Sequence, residues 1–283
     1  MTDSVFDHPQ VAALIELALA EDIGAGDRTS LATVPVEARA RGRLLAKQRL
    51  VVCGVPLLRR VFGRLGTVEI EVHDAEGSLV EAGRVIAHID GPARVLLAGE
   101  RLALNFLQHL AGIATLARRC VDAVAGTSLV VRDTRKTVPG MRLLAKYAVR
   151  TGGAQNHRLA LDDALLVKDN HLTLSGRGLA ETVAAARAAY PHLPLEVEVR
   201  TLDELRAALE AGPDLILLDN MALDTIRSAV ALVAGRVPLE VSGGVRLEDL
   251  PAVAGTGVAY VAMGALTHSA AAADISLKLE PLR

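Results

Sequence analysis

The chain has 283 residues, a formal net charge of −2 at pH 7, and 51% hydrophobic but only 2% aromatic residues. This length holds one large or two ordinary domains with full cores, and the composition excludes a disordered chain. No apolar run reaches the roughly 18–20 residues that span a bilayer, and the first ten residues lack the features of a signal peptide. Cys53 and Cys120 form no CxxC motif, so we expect a reduced, cytoplasmic protein.

The first third of the chain predicts an α+β unit. Asp7 followed by Pro9 and Gln10 predicts a helix start, with Asp7 as the N-cap and Gln10 at the reciprocal capping position. Residues 93–126 have a helical pattern with an expected break near Gly112. Residues 67–73 alternate strictly between apolar and polar side chains, which indicates a half-exposed antiparallel sheet. The other strand candidates are residues 44–53 and 85–89.

The rest of the chain repeats one pattern, in which a short apolar run precedes a segment of helical period. Six such units predict a parallel sheet that is buried on both faces, either as an open doubly wound sheet or as a barrel. The predicted strands are residues 129–132, 164–167, 195–199, 215–218, 239–241 and 258–263.

Charged or polar residues or glycines stand at the carboxyl end of every one of these predicted strands. Barrels gather functional groups from the carboxyl ends of many strands, whereas an open sheet concentrates them at one switch point. We therefore predict an incomplete or irregular α/β barrel of about six units. The residues at the strand ends are, in order, Thr134, Arg135, Lys136, Lys168, Glu198, Asp219, Ser242, Gly243, Gly244, Gly264 and Ala265.

Residues 131–171 hold a local excess of positive charge in an otherwise balanced chain. The cations lie among Gly, Thr, Asn and His and are not interleaved with aromatic residues, which favours a pocket for small anions over a nucleic-acid groove. A solvated helix face is the alternative for Arg142, Lys146 and Arg150, which are spaced by four residues.

Lys168, Glu198 and Asp219 each allow two or more interpretations. Lys168 at a strand end could be a Schiff-base nucleophile or a cation that holds an anionic ligand. Glu198 and Asp219 could bind Mg²⁺ through a phosphorylated substrate, act as an acid–base pair, or form ion pairs with Lys168 or Arg135.

The glycines after the last two predicted strands favour a phosphate site. Gly243 and Gly264 follow strands at the position where barrels often hold phosphate against backbone N–H groups, and His268 lies just beyond. His157 and Arg158 follow a glycine pair, where the backbone could approach a ligand closely. The sequence has no cluster with structural-zinc spacing, and no GxSxG, P-loop or GxGxxG in the required context.

Three segments together carry a resemblance to a known family. They are DTRKTVPGMRLLAKYAV (residues 133–149), GGAQNHR (152–158) and VKDNH (167–171). With EDIGAGDRTS, ERLALNFLQHLAGIAT, LEVEV, LILLDNM, EVSGGV, VAMGALTHS and DISLKL, the chain resembles the quinolinate phosphoribosyltransferases, also called carboxylating nicotinate-nucleotide pyrophosphorylases, over essentially its whole length.

The resemblance implies transfer of a 5-phosphoribosyl group from phosphoribosyl pyrophosphate to quinolinate. Pyrophosphate and CO₂ leave, and nicotinate mononucleotide forms for NAD biosynthesis. It also implies Mg²⁺, an N-terminal α/β sandwich over residues 1–111, and an incomplete α/β barrel over 112–283 whose last residues could pack back on the first domain. The implied assembly is a homodimer with shared active sites, which could associate further as a hexamer of dimers, with no nucleic acid or membrane partner.

The same resemblance implies a role for each matched position. Lys136, Lys168, Glu198 and Asp219 are the implied catalytic residues, and Glu198 and Asp219 would hold Mg²⁺ through substrate or water. Arg101 would enter the active site of the partner subunit. The implied substrate-binding residues are Arg101, Thr134, Arg135, Lys136, His157, Arg158, Lys168, Glu198, Asp219, Ser242, Gly243, Gly244, Met263, Gly264, Ala265 and His268.

Two other functions are compatible with the residues alone. One is a Schiff-base aldolase that uses Lys168 as its nucleophile, and borohydride trapping would detect it. The other is a non-catalytic sensor of an anionic metabolite, which pyrophosphate release would exclude.

Overall fold

A computed structural model describes residues 5–282. Residues 1–4 and residue 283 lie outside the described residues. Residues 1–4 belong to the segment in which we expected no signal peptide. The strands are β1 (Arg39–Ala46), β2 (Leu50–Val51), β3 (Glu69–Val72), β4 (Leu79–Val80), β5 (Val85–Pro92), β6 (Val130–Arg132), β7 (Leu165–Val167), β8 (Leu195–Val199), β9 (Leu215–Asp219), β10 (Leu239–Ser242), β11 (Tyr260–Ala262) and β12 (Ile275–Leu282). The α-helices are α1 (Pro9–Ile23), α2 (Arg28–Thr33), α3 (Pro56–Phe62), α4 (Ala93–Ala123), α5 (Arg142–Thr151), α6 (Asp169–Ser175), α7 (Leu179–Ala189), α8 (Leu202–Ala211), α9 (Leu223–Val233), α10 (Leu250–Ala254) and α11 (Ala265–His268).

The chain divides into two compact units. The first unit consists of residues 1–118, 138–153 and 269–283, and the second of residues 119–137 and 154–268. The basic stretch at 131–171, which we interpreted as a pocket for small anions, is therefore divided between the units. The solvated-face alternative is also wrong for Lys146, because only 1% of this residue is exposed.

The first unit contains an antiparallel sheet of order β12-β1-β5-β3. One face of β1 carries Ala40 and Leu44, which are buried, and the opposite face carries Arg41 and Arg43. This alternation of apolar and charged side chains is typical of a sheet with one face on a core and one towards solvent. Of the predicted strands, 44–53 is in fact two strands, and 67–73 shortens to β3.

Helix α4 runs without interruption through Gly112, so the predicted break is wrong. A Cβ atom on Gly112 would collide with the backbone carbonyl of Ala271, and this close packing explains the glycine better than a helix end. The predicted cap of α1 is also wrong. His8, not Asp7, is the N-cap residue, and its ring accepts the backbone N–H of Gln10 across 3.2 Å.

The second unit contains a parallel sheet of order β6-β11-β10-β9-β8-β7, which confirms the six predicted strands. Val197, Ile216 and Val261 are fully buried, as expected for parallel strands that are covered on both faces. Strands β6 and β7 do not pair with each other in the described part of the chain, so the sheet fits an incomplete barrel. No helix within residues 5–282 is long and apolar enough to cross a bilayer.

Candidate active site

Lys168 and Glu198 meet at the carboxyl ends of two adjacent strands. The parallel register of β7 and β8 places Val167 beside Val197, so the residues that follow each of them are also neighbours. The ammonium group of Lys168 forms an ion pair with the carboxylate of Glu198, whose side chain is only 7% exposed. The pair anticipated between the basic and acidic strand ends is therefore present.

Asp219 ends β9 and pairs with an arginine that the sequence analysis did not consider. The Nε atom of Arg200 lies 3.4 Å from Oδ2 of Asp219, and its Nη1 atom lies 2.9 Å from Oδ2 of Asp169. Arg200 directly follows β8, so its position after a predicted strand was a signal that could have identified it. Carboxylates of Glu198 and Asp219 at the ends of adjacent strands are ligands of the kind that Mg²⁺ prefers.

The turn after β10 requires glycine. Gly243 has a φ of 105°, and a Cβ atom there would collide with the side-chain oxygen of Asn220. Asn220 itself has a positive φ of 54° and donates its N–H to the carbonyl of Ser242 across 2.9 Å. The next residue, Gly244, has a φ of 61° and open space where a side chain would lie. Bare backbone therefore faces open space after β10, as a phosphate site requires.

Lys136 lies beside the residues that follow β11. A Cβ atom on Gly264 would come within 3.0 Å of both the Lys136 side chain and the ring of His268. The buried hydroxyl of Thr267 donates to the carbonyl of Lys136 across 2.7 Å, which holds the two segments together. The structure thus brings Lys136 next to Gly264 and His268, which are more than 120 residues further along the chain, and all three were predicted as site residues.

A buried carboxylate holds the segment that contains His157. Asp133, which is 0% exposed, accepts the backbone N–H of His157 across 2.8 Å and the side-chain amide of Asn156 across 2.6 Å. Gln155 forms an isolated parallel bridge with Arg132, so the segment extends the edge of β6. The rigid position of His157 thus comes from Asp133, a residue for which we had predicted no role.

The ring of His157 points at two acids on the inner face of the sheet. Its Nε2 atom lies 2.9 Å from Oε2 of Glu196 and 3.4 Å from Oε1 of Glu240. Glu240 also binds Arg132 across 3.0 Å, and the guanidinium of Arg132 stacks over the ring of Tyr260 at 3.5 Å. The alternation of β8 places Glu196 on the same face as Glu198, and this was the signal that sequence reasoning missed.

The backbone beside His157 limits which of its ring nitrogens can carry a proton. Burial lowers the pKa of His157, but the hydrogen bonds and charges of Glu196 and Glu240 together raise it to about 9. The backbone N–H of Arg158 donates to Nδ1 of the ring across 2.7 Å, where a second ring proton would have to sit. Charging the ring therefore breaks the contact with Arg158. Because a metal on Nε2 would likewise require a proton on Nδ1, this trio is a poor metal site.

Arg158 lies close to a second cation. Burial and then the charge of Arg135 lower the pKa of Arg158, while its Nη1 atom donates to the carbonyl of Ala164 across 2.9 Å. Two arginines at close range repel each other, so an anion with two negative charges would stabilise this arrangement. Arg158 and His157 also line a cavity of about 390 Å³, which extends to the first residues of β8, β9 and β11.

Most of the predicted site residues fall into five groups within the second unit. Thr134, whose hydroxyl accepts the backbone N–H of Lys136 across 3.0 Å, Met263, and Ala265 at the start of α11 adjoin these groups, and Arg101 lies apart. Arg101 is exposed on α4 in the first unit, and its predicted role in a partner's site stays a prediction. Met263 is buried and donates its backbone N–H to the carbonyl of Arg132 across 2.9 Å. The groups are Lys168 with Glu198; Asp219 with Arg200; Ser242, Gly243 and Gly244; Lys136 with Gly264 and His268; and Arg135, His157 and Arg158 with their acidic partners.

Two models of known families match the chain. The model described as the N-terminal domain of quinolinate phosphoribosyl transferase matches residues 27–111. The model described as the C-terminal domain of the same enzyme matches residues 113–278. Together the two models cover most of the chain in the order expected for that enzyme.

Individual proteins of known name also match the chain over nearly its whole length. A Mycobacterium leprae protein named nicotinate-nucleotide pyrophosphorylase (carboxylating) is 45% identical over 274 residues, which are 94% of this chain and 95% of that protein. A Bacillus subtilis protein named as a probable enzyme of the same activity is 41% identical over 272 residues, 96% and 94% of the two chains. The crystal structure of nicotinate-nucleotide pyrophosphorylase from Ehrlichia chaffeensis superposes with a TM-score of 0.92 at 35% identity and covers 99% of this chain and 100% of that one.

Proposed function

The chain belongs to the quinolinate phosphoribosyltransferase family, and we propose that it transfers the 5-phosphoribosyl group of phosphoribosyl pyrophosphate to the ring nitrogen of quinolinate. Pyrophosphate and CO₂ leave, and the product is nicotinate mononucleotide, a precursor in NAD biosynthesis. The structural observation that carries this proposal is the order of groups along the sheet. A cation–acid pair, a second acid and a glycine turn stand at the ends of β7, β8, β9 and β10.

Glu198 and Asp219 face the ribose in this proposal. When pyrophosphate leaves, positive charge develops at the anomeric carbon, and two nearby carboxylates stabilise that charge before the new bond is complete. Lys168 and Arg200 already hold the two carboxylates in place, so the carboxylates need to move little when the charge develops. A water molecule is less well matched to this task because it must reorient as the charge appears.

The cations bind the acceptor. Quinolinate carries two adjacent carboxylates, and Arg135 and Arg158 offer planar forks that suit them. We propose that Lys136, Lys168 and His157 complete this wall. The wall orients the pyridine nitrogen towards the anomeric carbon, which converts a bimolecular encounter into a positioned reaction.

The glycines hold the 5′-phosphate. Ser242, Gly243 and Gly244 present free backbone after β10, and Gly264 and Ala265 present the start of α11 after β11. His268 lies within reach of the same space. Mg²⁺ bound by the pyrophosphate and by Glu198 and Asp219, directly or through water, would offset the negative charge that grows on the leaving group.

Decarboxylation needs no organic cofactor and no dedicated base in this proposal. The pyridine nitrogen has no proton to remove before it attacks. After it is alkylated, the ring carries positive charge and stabilises the electron pair that the departing CO₂ leaves on the neighbouring ring carbon. That carbon then takes up a proton from water, which gives the C–H bond of nicotinate mononucleotide. The protein holds the second carboxylate so that it can leave while the first one stays bound.

We further propose that the enzyme is a homodimer in which Arg101 of one subunit completes the active site of the other. Arg101 is exposed on α4, and its guanidinium would add a third planar fork to the acceptor wall of the partner. Association of such dimers into a hexamer of dimers is compatible with this arrangement.

One assay tests the proposed function directly. Purified protein with Mg²⁺, quinolinate and phosphoribosyl pyrophosphate should form nicotinate mononucleotide and CO₂ in equal amounts, and omission of either substrate should abolish both products. Absence of product with folded protein would contradict the proposal.

The aldolase alternative depends on a side-chain nitrogen of Lys168 that is free to attack a carbonyl group. This nitrogen is instead held by Glu198 in an ion pair. We therefore expect no covalent adduct at Lys168 when borohydride and a carbonyl substrate are added. Release of pyrophosphate in the assay above would exclude the sensor alternative.

A further inference from the structure

A cluster of two histidines and one glutamate lies on the exposed face of the antiparallel sheet in the first unit. Glu71 on β3 and His88 on β5 are direct partners in the register of the two strands. His73 follows β3 and stays in line with it, because its backbone N–H binds the carbonyl of Ile86 across 2.8 Å. All three side chains therefore project from the same face, and the proposed transferase chemistry uses none of them.

The donor atoms of these side chains converge. Nε2 of His73 lies 3.1 Å from Nδ1 of His88, and Oε2 of Glu71 lies 3.9 Å from the same Nδ1 atom. Oxygen and nitrogen ligands of all three residues lie within 4.8 Å of one another. Ligands at about 2.0–2.1 Å from a tetrahedral zinc ion are roughly 3.3 Å apart, so small side-chain rotations would bring all three into range.

The arginines beside the cluster are paired with other acids. Arg43, the register partner of His88 on β1, binds Glu280 across 2.6 Å. The next acid on β5, Asp90, is held by Arg41 through two hydrogen bonds of 2.8 and 3.2 Å from Nε. Glu71 faces the two imidazoles at 3.9 Å instead, too far for a hydrogen bond with either ring. The ring nitrogens of His73 and His88 face each other, so one of them must act as acceptor and present a lone pair.

We propose that Glu71, His73 and His88 form a binding site for one divalent transition metal ion per chain, with Zn²⁺ as the ion that suits it. Two imidazoles and a carboxylate match zinc and not Mg²⁺, which prefers oxygen ligands. The histidine side chains are 27% and 26% exposed, so water can fill a fourth position. This site is chemically distinct from the carboxylates of the strand ends and does not depend on the proposed function.

Calorimetric titration of the protein with Zn²⁺ in excess Mg²⁺ tests the proposal. We expect one site of micromolar affinity per chain. His73→Gln and His88→Gln should each weaken binding about tenfold or more, because each removes one of three ligands. Glu71→Gln should weaken it less, since the amide oxygen can still coordinate. His192→Gln is the control, because His192 is exposed on the second unit and belongs to no such cluster within residues 5–282.

Two outcomes would overturn the proposal. One is the absence of a zinc site of at least micromolar affinity in the parent protein. The other is a site that persists unchanged in both His73→Gln and His88→Gln, which would place the ion elsewhere. All substitutions lie on an exposed face, so thermal unfolding of the metal-free variants should match the parent and exclude misfolding as the cause.

Discussion

His157 donates its Nε2 proton to Glu196 across 2.9 Å, and this bond links a buried acid of β8 to the segment that we propose as part of the acceptor wall. Nδ1 of the same ring accepts the backbone N–H of Arg158 across 2.7 Å, which requires that Nε2 carry the proton. A buried acid therefore orients an imidazole, and the imidazole positions the next residue of the chain. Glu196 has a role in the site without being expected to touch either substrate.

We expect Glu196→Met to raise the KM for quinolinate about tenfold while kcat changes less than about threefold. The variant leaves the buried Nε2–H of His157 without its nearest acceptor, and an unsatisfied buried donor costs about 1–3 kcal/mol. Rotation of the ring to find another partner would release Arg158. Steady-state kinetics with each substrate varied in turn measure the effect, and the KM for phosphoribosyl pyrophosphate should stay close to that of the parent.

Glu196→Gln is the matched variant, because the amide oxygen can still accept the Nε2 proton. Its KM for quinolinate should stay near the parent value. Loss of one negative charge near Arg158 would by itself strengthen dianion binding, so a purely electrostatic role predicts that Glu196→Met tightens binding. Such tightening would contradict the positioning role. Asp214→Asn, which changes another acid that lines the same cavity, controls for general effects of altering the cavity wall.

Gly243→Ala should raise the KM for phosphoribosyl pyrophosphate more than the KM for quinolinate. The added Cβ atom collides with Asn220, and a φ of 105° is unfavourable for alanine. The turn must move, and its backbone N–H groups then lose their position around the 5′-phosphate. Gly244→Ala should have a smaller effect, because its φ of 61° is accessible to alanine at about 1–2 kcal/mol and the space beside it is open.

Gly112→Ala should destabilise the first unit by about 1–3 kcal/mol, although alanine favours helices more than glycine does. The added methyl group meets the backbone carbonyl of Ala271, which cannot rotate away as a side chain could. Thermal or urea unfolding measures the loss. Gly178→Ala is the control, since no atom lies within 4 Å of the new Cβ atom and its φ is −66°. A stabilised Gly112→Ala protein would show that the packing at Ala271 adapts.

Mixtures of two inactive variants should recover activity if Arg101 acts in the partner's site. We expect Arg101→Ala and Lys168→Ala each to be inactive alone. After subunit exchange, a hybrid dimer has one site with both residues intact, so an equal mixture should recover about a quarter of the parent activity. Mass spectrometry of the mixture confirms the exchange, and no recovery in exchanged dimers would show that Arg101 does not act across subunits.

Much of the site could be predicted from local sequence because strand ends are local features. A buried apolar run predicts a strand, and the residues at its carboxyl end lie at one edge of a parallel sheet whatever the rest of the chain does. That reasoning is enough to select Lys168, Glu198, Asp219 and Gly243. Family resemblance then extended it to roles that no spacing rule supplies.

The pairing of side chains depended on tertiary structure. Arg132 and Glu240 are 108 residues apart, and they meet only because β11 alone lies between β6 and β10 in the sheet. Gly112 likewise looked like a helix break until the packing of Ala271 was known. The sequence by itself determined where most strands and helices form and which charged residues stand at their ends. Lateral strand order and close packing decided which of those charges meet, because these depend on contacts between residues far apart in the chain.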